Sequence, residues 1–158
     1  MKIIITQGTG NGKTGLAAFD AALFDAGIAN YNLIKLSSVI PAGTDIQVEK
    51  ITKYNSDEYG YKLYVVLAEK IVSEPGKEAV AGIGWVKHGL GKESGLFVEF
   101  GADSEEEIRK DITETLTSMC SYRPEEAGAI QMVISKVKCV DVPVCALVSA
   151  VYKSEGWE

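Results

Sequence analysis

The sequence predicts an α+β fold, a sandwich in which helices cover the faces of β-sheets. Three observations carry this. Apolar stretches of strand character recur along the chain, two segments show helical periodicity, and the order runs strand, helix, several strands, helix, two strands. With 158 residues the chain reads as one domain, 1–158, long enough to bury a core without staples. No internal repeat, low-complexity segment or linker divides it.

The first strand is Lys2 to Thr6. Gly8-Thr9-Gly10-Asn11-Gly12-Lys13-Thr14 then reads as a glycine-rich turn leading into a helix. A P-loop would need G-x-x-x-x-G-K-[ST], but its leading position here holds Gln7, with Gly8 one residue late. No convincing strand ending in a magnesium-binding aspartate follows, Val140-Asp141-Val142-Pro143 being a poor substitute. The helix runs from Thr14 to Ala26, with Leu16, Phe19 and Leu23 at helical spacing and Gly27 as the stop. Its alanines, Ala17, Ala18, Ala21, Ala22 and Ala26, imply close approach to a sheet or to a neighbouring subunit.

From Asn30 to Pro41 a short strand runs into the pair Ser37-Ser38, and the proline ends the pairing. Ala42-Gly43-Thr44 is a turn, Asp45 to Lys50 a short strand, and Lys53 to Gly60 a polar loop. Tyr61 to Lys70 becomes continuously apolar at Tyr64 to Ala68, as a buried strand does. After the Pro75-Gly76 turn, Ala79 to Lys87 is a strand whose Gly82 and Gly84 point to a bulge or a close approach. The loop from His88 to Glu93 leads to the strand Gly95 to Phe100. Ser104 and Glu107 form a capping box, and Ile108, Ile112, Leu116 and Met119 line one face of a helix ending near Tyr122. Gly128 to Lys138 and Val142 to Lys153 close the chain as strands.

Composition narrows the function. Hydrophobic residues are 46% and charged residues 24%, a globular balance. The net charge of −6 argues against a nucleic-acid surface, because phosphate binding needs clustered lysine and arginine. Cys120, Cys139 and Cys145 contain no CxxC and the chain has one histidine, His88, so no zinc pattern can be assembled. His88 reads as a loop residue without a role. The apolar run before Thr6 is too short for a secretory segment, and Val142 to Tyr152 is broken by Pro143 and Ser149. The expectation is a soluble, cytoplasmic protein that contacts neither membrane nor nucleic acid.

Glu99 lies between Val98 and Phe100 in an apolar strand, where an ionised carboxylate is costly without a partner and burial raises its pKa toward that of a usable acid. Two blocks carry a family resemblance. One is Phe19-Asp20-Ala21-Ala22-Leu23 with Ala26-Gly27-Ile28-Ala29-Asn30-Tyr31-Asn32-Leu33-Ile34-Lys35-Leu36-Ser37-Ser38-Val39-Ile40-Pro41; the other is Ser94-Gly95-Leu96-Phe97-Val98-Glu99-Phe100. Both resemble the pyruvoyl-dependent arginine decarboxylases, which cut their own backbone between two such serines. The resemblance covers nearly the full chain in element order.

It implies a trimeric αββα sandwich with active sites between subunits, self-cleaved into chains 1–37 and 38–158. The trimers could pair into hexamers. The serine matching Ser38 becomes a covalent pyruvoyl group, and the serine matching Ser37 ends the short chain. The asparagine matching Asn32 assists cleavage, and the glutamate matching Glu99 donates a proton to the decarboxylated carbon. The aspartate matching Asp20 holds the substrate guanidinium, which suits bidentate pairing. A pyruvoyl carbonyl condenses with the substrate amine and accepts the electrons left when CO2 departs. The implied reaction is L-arginine to agmatine, in polyamine synthesis or in acid resistance, with no metal. Ala29 and Lys35 stand where the family more often has glycine and arginine, and both changes read as structural; Lys50 to Gly60 matches poorly. The competing readings are a related decarboxylase of different side-chain selectivity, an uncleaved non-catalytic paralogue of this fold, and a P-loop-like nucleotide-binding module at Gly8 to Thr14.

Overall fold

The computed structural model describes residues 1–53, 55–89 and 94–158. It is a mixed α/β structure of two helices and two sheets. In chain order the elements are β1 (Lys2–Asn11), α1 (Gly15–Asp25), β2 (Asn32–Lys35), β3 (Val39–Ile40), β4 (Asp45–Val48), β5 (Lys62–Val72), β6 (Glu78–Lys87), β7 (Gly95–Ala102), α2 (Glu105–Ser121), β8 (Gln131–Lys138) and β9 (Val144–Glu155). One sheet has the order β2-β5-β9-β1-β4 and the other β3-β7-β6-β8. The expected loop from Lys53 to Gly60 contains a short 3-10 turn, Ser56–Glu58. Part of the expected His88 to Glu93 loop, 90–93, lies outside the described residues, as does Tyr54.

Strand alternation divides the side chains among three cores. Ile3 and Ile5 of β1, Val66 and Ala68 of β5, and Val148 and Ala150 of β9 meet Ala81, Ile83 and Trp85 of β6 and Phe97 of β7 between the sheets. On the first sheet's other face Leu63, Val65, Leu67 and Leu147 pack against Ala18, Ala22 and Leu23 of α1 and against Ala26, its C-cap. Across the second sheet, Val80, Val86, Leu96 and Val98 pack against Ile108, Ile112 and Leu116 of α2. The α2 stripe is the one that the spacing predicts, and Ser104 caps the helix by accepting from the Glu107 amide at 3.2 Å.

The glycine-rich turn expected after Thr6 is instead the second half of β1, which continues in register with β9 to Asn11. Its glycines face α1. A Cβ on Gly8 would overlap the Ala22 carbonyl, one on Gly10 would overlap the Ala22 amide, and one on Gly12 would lie 2.7 Å from Ala17 Cβ. These glycines let a helix lie directly on the strand, so the segment forms no phosphate cradle. Thr14 is the N-cap, accepting from the Ala17 amide at 3.1 Å. This removes the P-loop reading. It also explains a shift in the helix stripe: α1 approaches so closely that alanines fill its buried face, and the expected core residue Leu16 is 76% exposed.

Gly82 and Gly84 repeat the device in β6. A Cβ on Gly84 would overlap Ile112 Cγ2, and one on Gly82 would come within 2.6 Å of Ile108 Cγ2. Of the two expected explanations, close approach holds, and the approaching element is α2. Gly84→Ala is expected to cost about 1–3 kcal/mol through forced repacking, read as a lowered midpoint in chemical unfolding. The exposed Gly43→Ala, whose Cβ meets nothing within 4 Å, separates backbone strain from this packing effect because its φ is +74°.

Candidate active site

The serine pair occupies the crossing from one sheet to the other. β2 belongs to the first sheet, paired in parallel with β5, and β3 to the second, paired antiparallel with β7. The Leu36 amide donates to the Val65 carbonyl at 2.8 Å, which fixes the chain to the first sheet. The Ser38 carbonyl accepts from the Phe97 amide at 2.8 Å, which fixes it to the second. Between those anchors the backbone has little freedom, and Ser38 takes φ +73°, the left-handed region. A side chain there costs roughly 1–2 kcal/mol relative to the right-handed region. Among the described residues Asn30 is the other non-glycine with positive φ, at +69°, and asparagine tolerates that region better than serine does.

Ser38 is buried whereas Ser37 is exposed. The Ser38 hydroxyl donates to Glu99 Oε2 at 2.8 Å. Glu99 lies two residues beyond Phe97 in β7 and therefore points to the same side, toward the space between the sheets. It stands at the open margin of that space and is solvent-exposed on the single chain, so the expectation of an enclosed carboxylate gives way to one that is shielded on one side. Ser37, Ser38, Phe97, Val98, Glu99, Phe100 and Met119 line an open pocket of about 270 Å³.

Partial burial raises the Glu99 pKa above the ordinary carboxylate value, opposed by the Ser38 hydrogen bond and the positive charge of Lys35. Lys35, read from sequence as a structural substitution, thus acts on the site electrostatically, while its ammonium also pairs with Glu69 at 3.6 Å. Tyr152 was invisible to sequence reasoning. It follows Val148 and Ala150 on the inter-sheet face of β9, stacks edge-on against Phe97 at 6.3 Å, and donates to the Val39 carbonyl at 2.8 Å. Burial and the Glu99 carboxylate together push its phenol up to about 12.

Neither Asn32 nor Asp20 lines this pocket in the single chain. Asn32 opens the edge strand β2, and its side-chain amide donates to the Gly60 carbonyl at 2.8 Å, an oxygen that also accepts from Trp157 Nε1 at 2.9 Å. Asp20 lies on the exposed side of α1, one turn from both Leu16 and Phe24, which are 76% and 52% exposed. That stripe of α1 is apolar around one carboxylate.

Replacing Lys35 with methionine removes a cation that favours the ionised carboxylate, so the Glu99 titration midpoint should move upward. Carboxyl carbon NMR reads the shift directly. An unchanged midpoint would mean that solvent screens Lys35 from the site.

The profile of the family Pyruvoyl-dependent arginine decarboxylase (PvlArgDC) matches residues 2–152. The chain is similar to a pyruvoyl-dependent arginine decarboxylase of Thermococcus sibiricus, with 32% identity over 151 residues covering 95% of this chain and 93% of that protein. A second such protein, from Thermococcus kodakarensis, is 33% identical over 153 residues, 92% of this chain and 90% of the relative. One from Halobacterium salinarum is 38% identical over 118 residues, 74% and 69% of the two chains. The family's cofactor is a covalent pyruvoyl group derived from a serine. With its profile matched over almost the whole length, the chain belongs to the pyruvoyl-dependent arginine decarboxylase family.

Proposed function

We propose that this chain cuts its own backbone between Ser37 and Ser38 and uses the pyruvoyl group formed at residue 38 to decarboxylate L-arginine to agmatine. The observation that carries this is the left-handed Ser38, anchored on both sides, with its hydroxyl 2.8 Å from Glu99 Oε2. In the processing step Glu99 takes the hydroxyl proton as Ser38 Oγ attacks the Ser37 carbonyl carbon. The Ser37–Ser38 C–N bond breaks, the proton passes to the freed nitrogen, and an ester joins the two residues. Loss of the Ser38 Cα proton then expels the Ser37 carboxylate. Hydrolysis of the remaining dehydroalanine consumes one water and releases ammonia.

The raised pKa of Glu99 suits both a base toward Ser38 and, once protonated, a donor toward the substrate carbon. The pyruvoyl group, once formed, supplies the electron sink for decarboxylation. Asn32 is assigned to cleavage; in the intact chain its amide is engaged by Gly60, so that role requires the amide to leave this partner.

The fold is read as an αββα sandwich that assembles as a trimer, with Asp20 reaching the guanidinium from a neighbouring subunit. Two features support a shared site: the pocket at Ser38 is open on the single chain, and the Leu16–Asp20–Phe24 stripe of α1 is exposed.

Intact mass spectrometry under denaturing conditions tests the chemistry. Wild type should give chains 1–37 and 38–158, Ser38→Ala should stay whole, and Glu99→Gln should cleave about a hundredfold or more slowly. A wild-type chain that stays whole would transfer the fold to the non-catalytic reading. The shared site has its own test. Asp20→Asn is expected to raise KM for arginine about tenfold or more, and co-expression with Ser38→Ala should restore activity, since each subunit supplies what its neighbour lacks. Failure of the mixture to exceed either parent would place Asp20 within a single subunit's site or outside the site altogether.

A further inference from the structure

Two carbonyls in succession, those of Ser38 and Val39, are held by groups outside their own strand. The Phe97 amide donates to the first at 2.8 Å, and the Tyr152 hydroxyl donates to the second at 2.8 Å. The donors are coupled, because the Tyr152 ring stands edge-on to the Phe97 ring at 6.3 Å and Phe97 stands edge-on to Trp85 at 6.2 Å. Tyr152 comes from β9 of the first sheet and Val39 from β3 of the second, so this hydrogen bond ties the sheets together one residue beyond the proposed cleavage point.

β3 has two residues, Val39 and Ile40, and among the described residues pairs only with β7, at Leu96 and Gly95. So short an edge strand offers few backbone hydrogen bonds to hold its first residue. A break at Ser37–Ser38 would remove the covalent anchor on the Leu36 side and make residue 38 a chain terminus. From then on its position would depend on what holds Ser38 and Val39, and chain ends fray unless tied down.

We propose that Tyr152 is a positioning residue for both reactions, its hydroxyl clamping the Val39 carbonyl so that residue 38 keeps its orientation toward Glu99 before and after the backbone is cut. The clamp acts through the backbone of Val39 and touches no reacting atom. The inference rests on processing at Ser38, and on nothing about the substrate's side chain.

Tyr152→Phe keeps the ring against Phe97 and deletes the donor. Its cleavage, followed by intact mass, should slow about tenfold, the scale expected for a misoriented nucleophile. The cleaved fraction should show a reduced kcat with KM for arginine unchanged, and the thermal midpoint of an uncleavable Ser38→Ala chain should hardly move when the same change is added. Placing 4-aminophenylalanine at 152 restores a donor at the ring tip and should recover most of the lost rate. Wild-type cleavage and kcat in Tyr152→Phe overturn the proposal. So does a phenylalanine variant that fails to fold, which would assign the bond to stability, or an amino variant as slow as the phenylalanine one. A wild-type chain that never cleaves defeats the underlying reading of Ser38 instead, so the two failures look different.

Discussion

The structure depends on how the chain passes between its two sheets. Leu36 is fixed by hydrogen bonding to β5 and Ser38 to β7, leaving a two-residue step to span layers set apart by their own side chains. The left-handed φ of Ser38 is the consequence. Serine has no local reason to adopt it, unlike glycine, so the conformation is imposed by the surrounding pairing and is retained because both anchors belong to larger hydrogen-bonded networks. The strain of roughly 1–2 kcal/mol is small beside the barrier to peptide cleavage. Its chief effect is geometric, since it directs the Ser38 hydroxyl to the Glu99 carboxylate.

That geometry in turn requires the sheets to be rigid bodies, and the helices make them so by an unusual route. β1 and β6 each present glycines to the helix above them, so α1 and α2 sit where ordinary side chains would not permit. Close packing transmits position well because interiors resist compression. The side of β7 that carries Phe97 and Glu99 is thus backed, through Leu96 and Val98 on its other side, by the α2 core.

Much of this was legible. The N-cap at Ser104, the Ile108, Ile112, Leu116 stripe and the apolar run of β5 follow from spacing and were found where the sequence places them, while the Glu107 carboxylate of the expected capping box accepts from the Asp103 amide instead. The serine pair and Glu99 were visible through their family setting rather than through any periodicity. What could not be read was set by contacts between distant segments. Gly8, Gly10 and Gly12 look like turn residues until a helix is seen lying on them, and the same contact moves the buried face of α1 from Leu16 onto Ala18, Ala22 and Ala26. The positive φ of Ser38 comes from anchors in β5 and β7 that are nearly thirty and sixty residues away in sequence. Tyr152 sits within β9 as any aromatic might; the arrival of β3 beneath it gives its hydroxyl a partner.

Strain at the proposed cleavage point would be useful only if breaking the chain did not undo the fold, and the topology meets that condition. Residues 1–37 hold β1, α1 and β2. β1 lies inside the first sheet, paired at eight positions with β9 and at four with β4, both of which belong to residues 38–158. β2 pairs at four positions with β5 from the same larger segment, and α1 buries Ala18, Ala22 and Ala26 against β5 and β9. A cut at Ser37–Ser38 would therefore separate two pieces that remain interleaved through a shared sheet and a shared core. The backbone could relax at one point while the position of Glu99, fixed by β7, and that of Val39, fixed by β7 and Tyr152, stayed as they are. A break at this crossing would thus remove one covalent bond and leave the sheet pairing and the shared core in place.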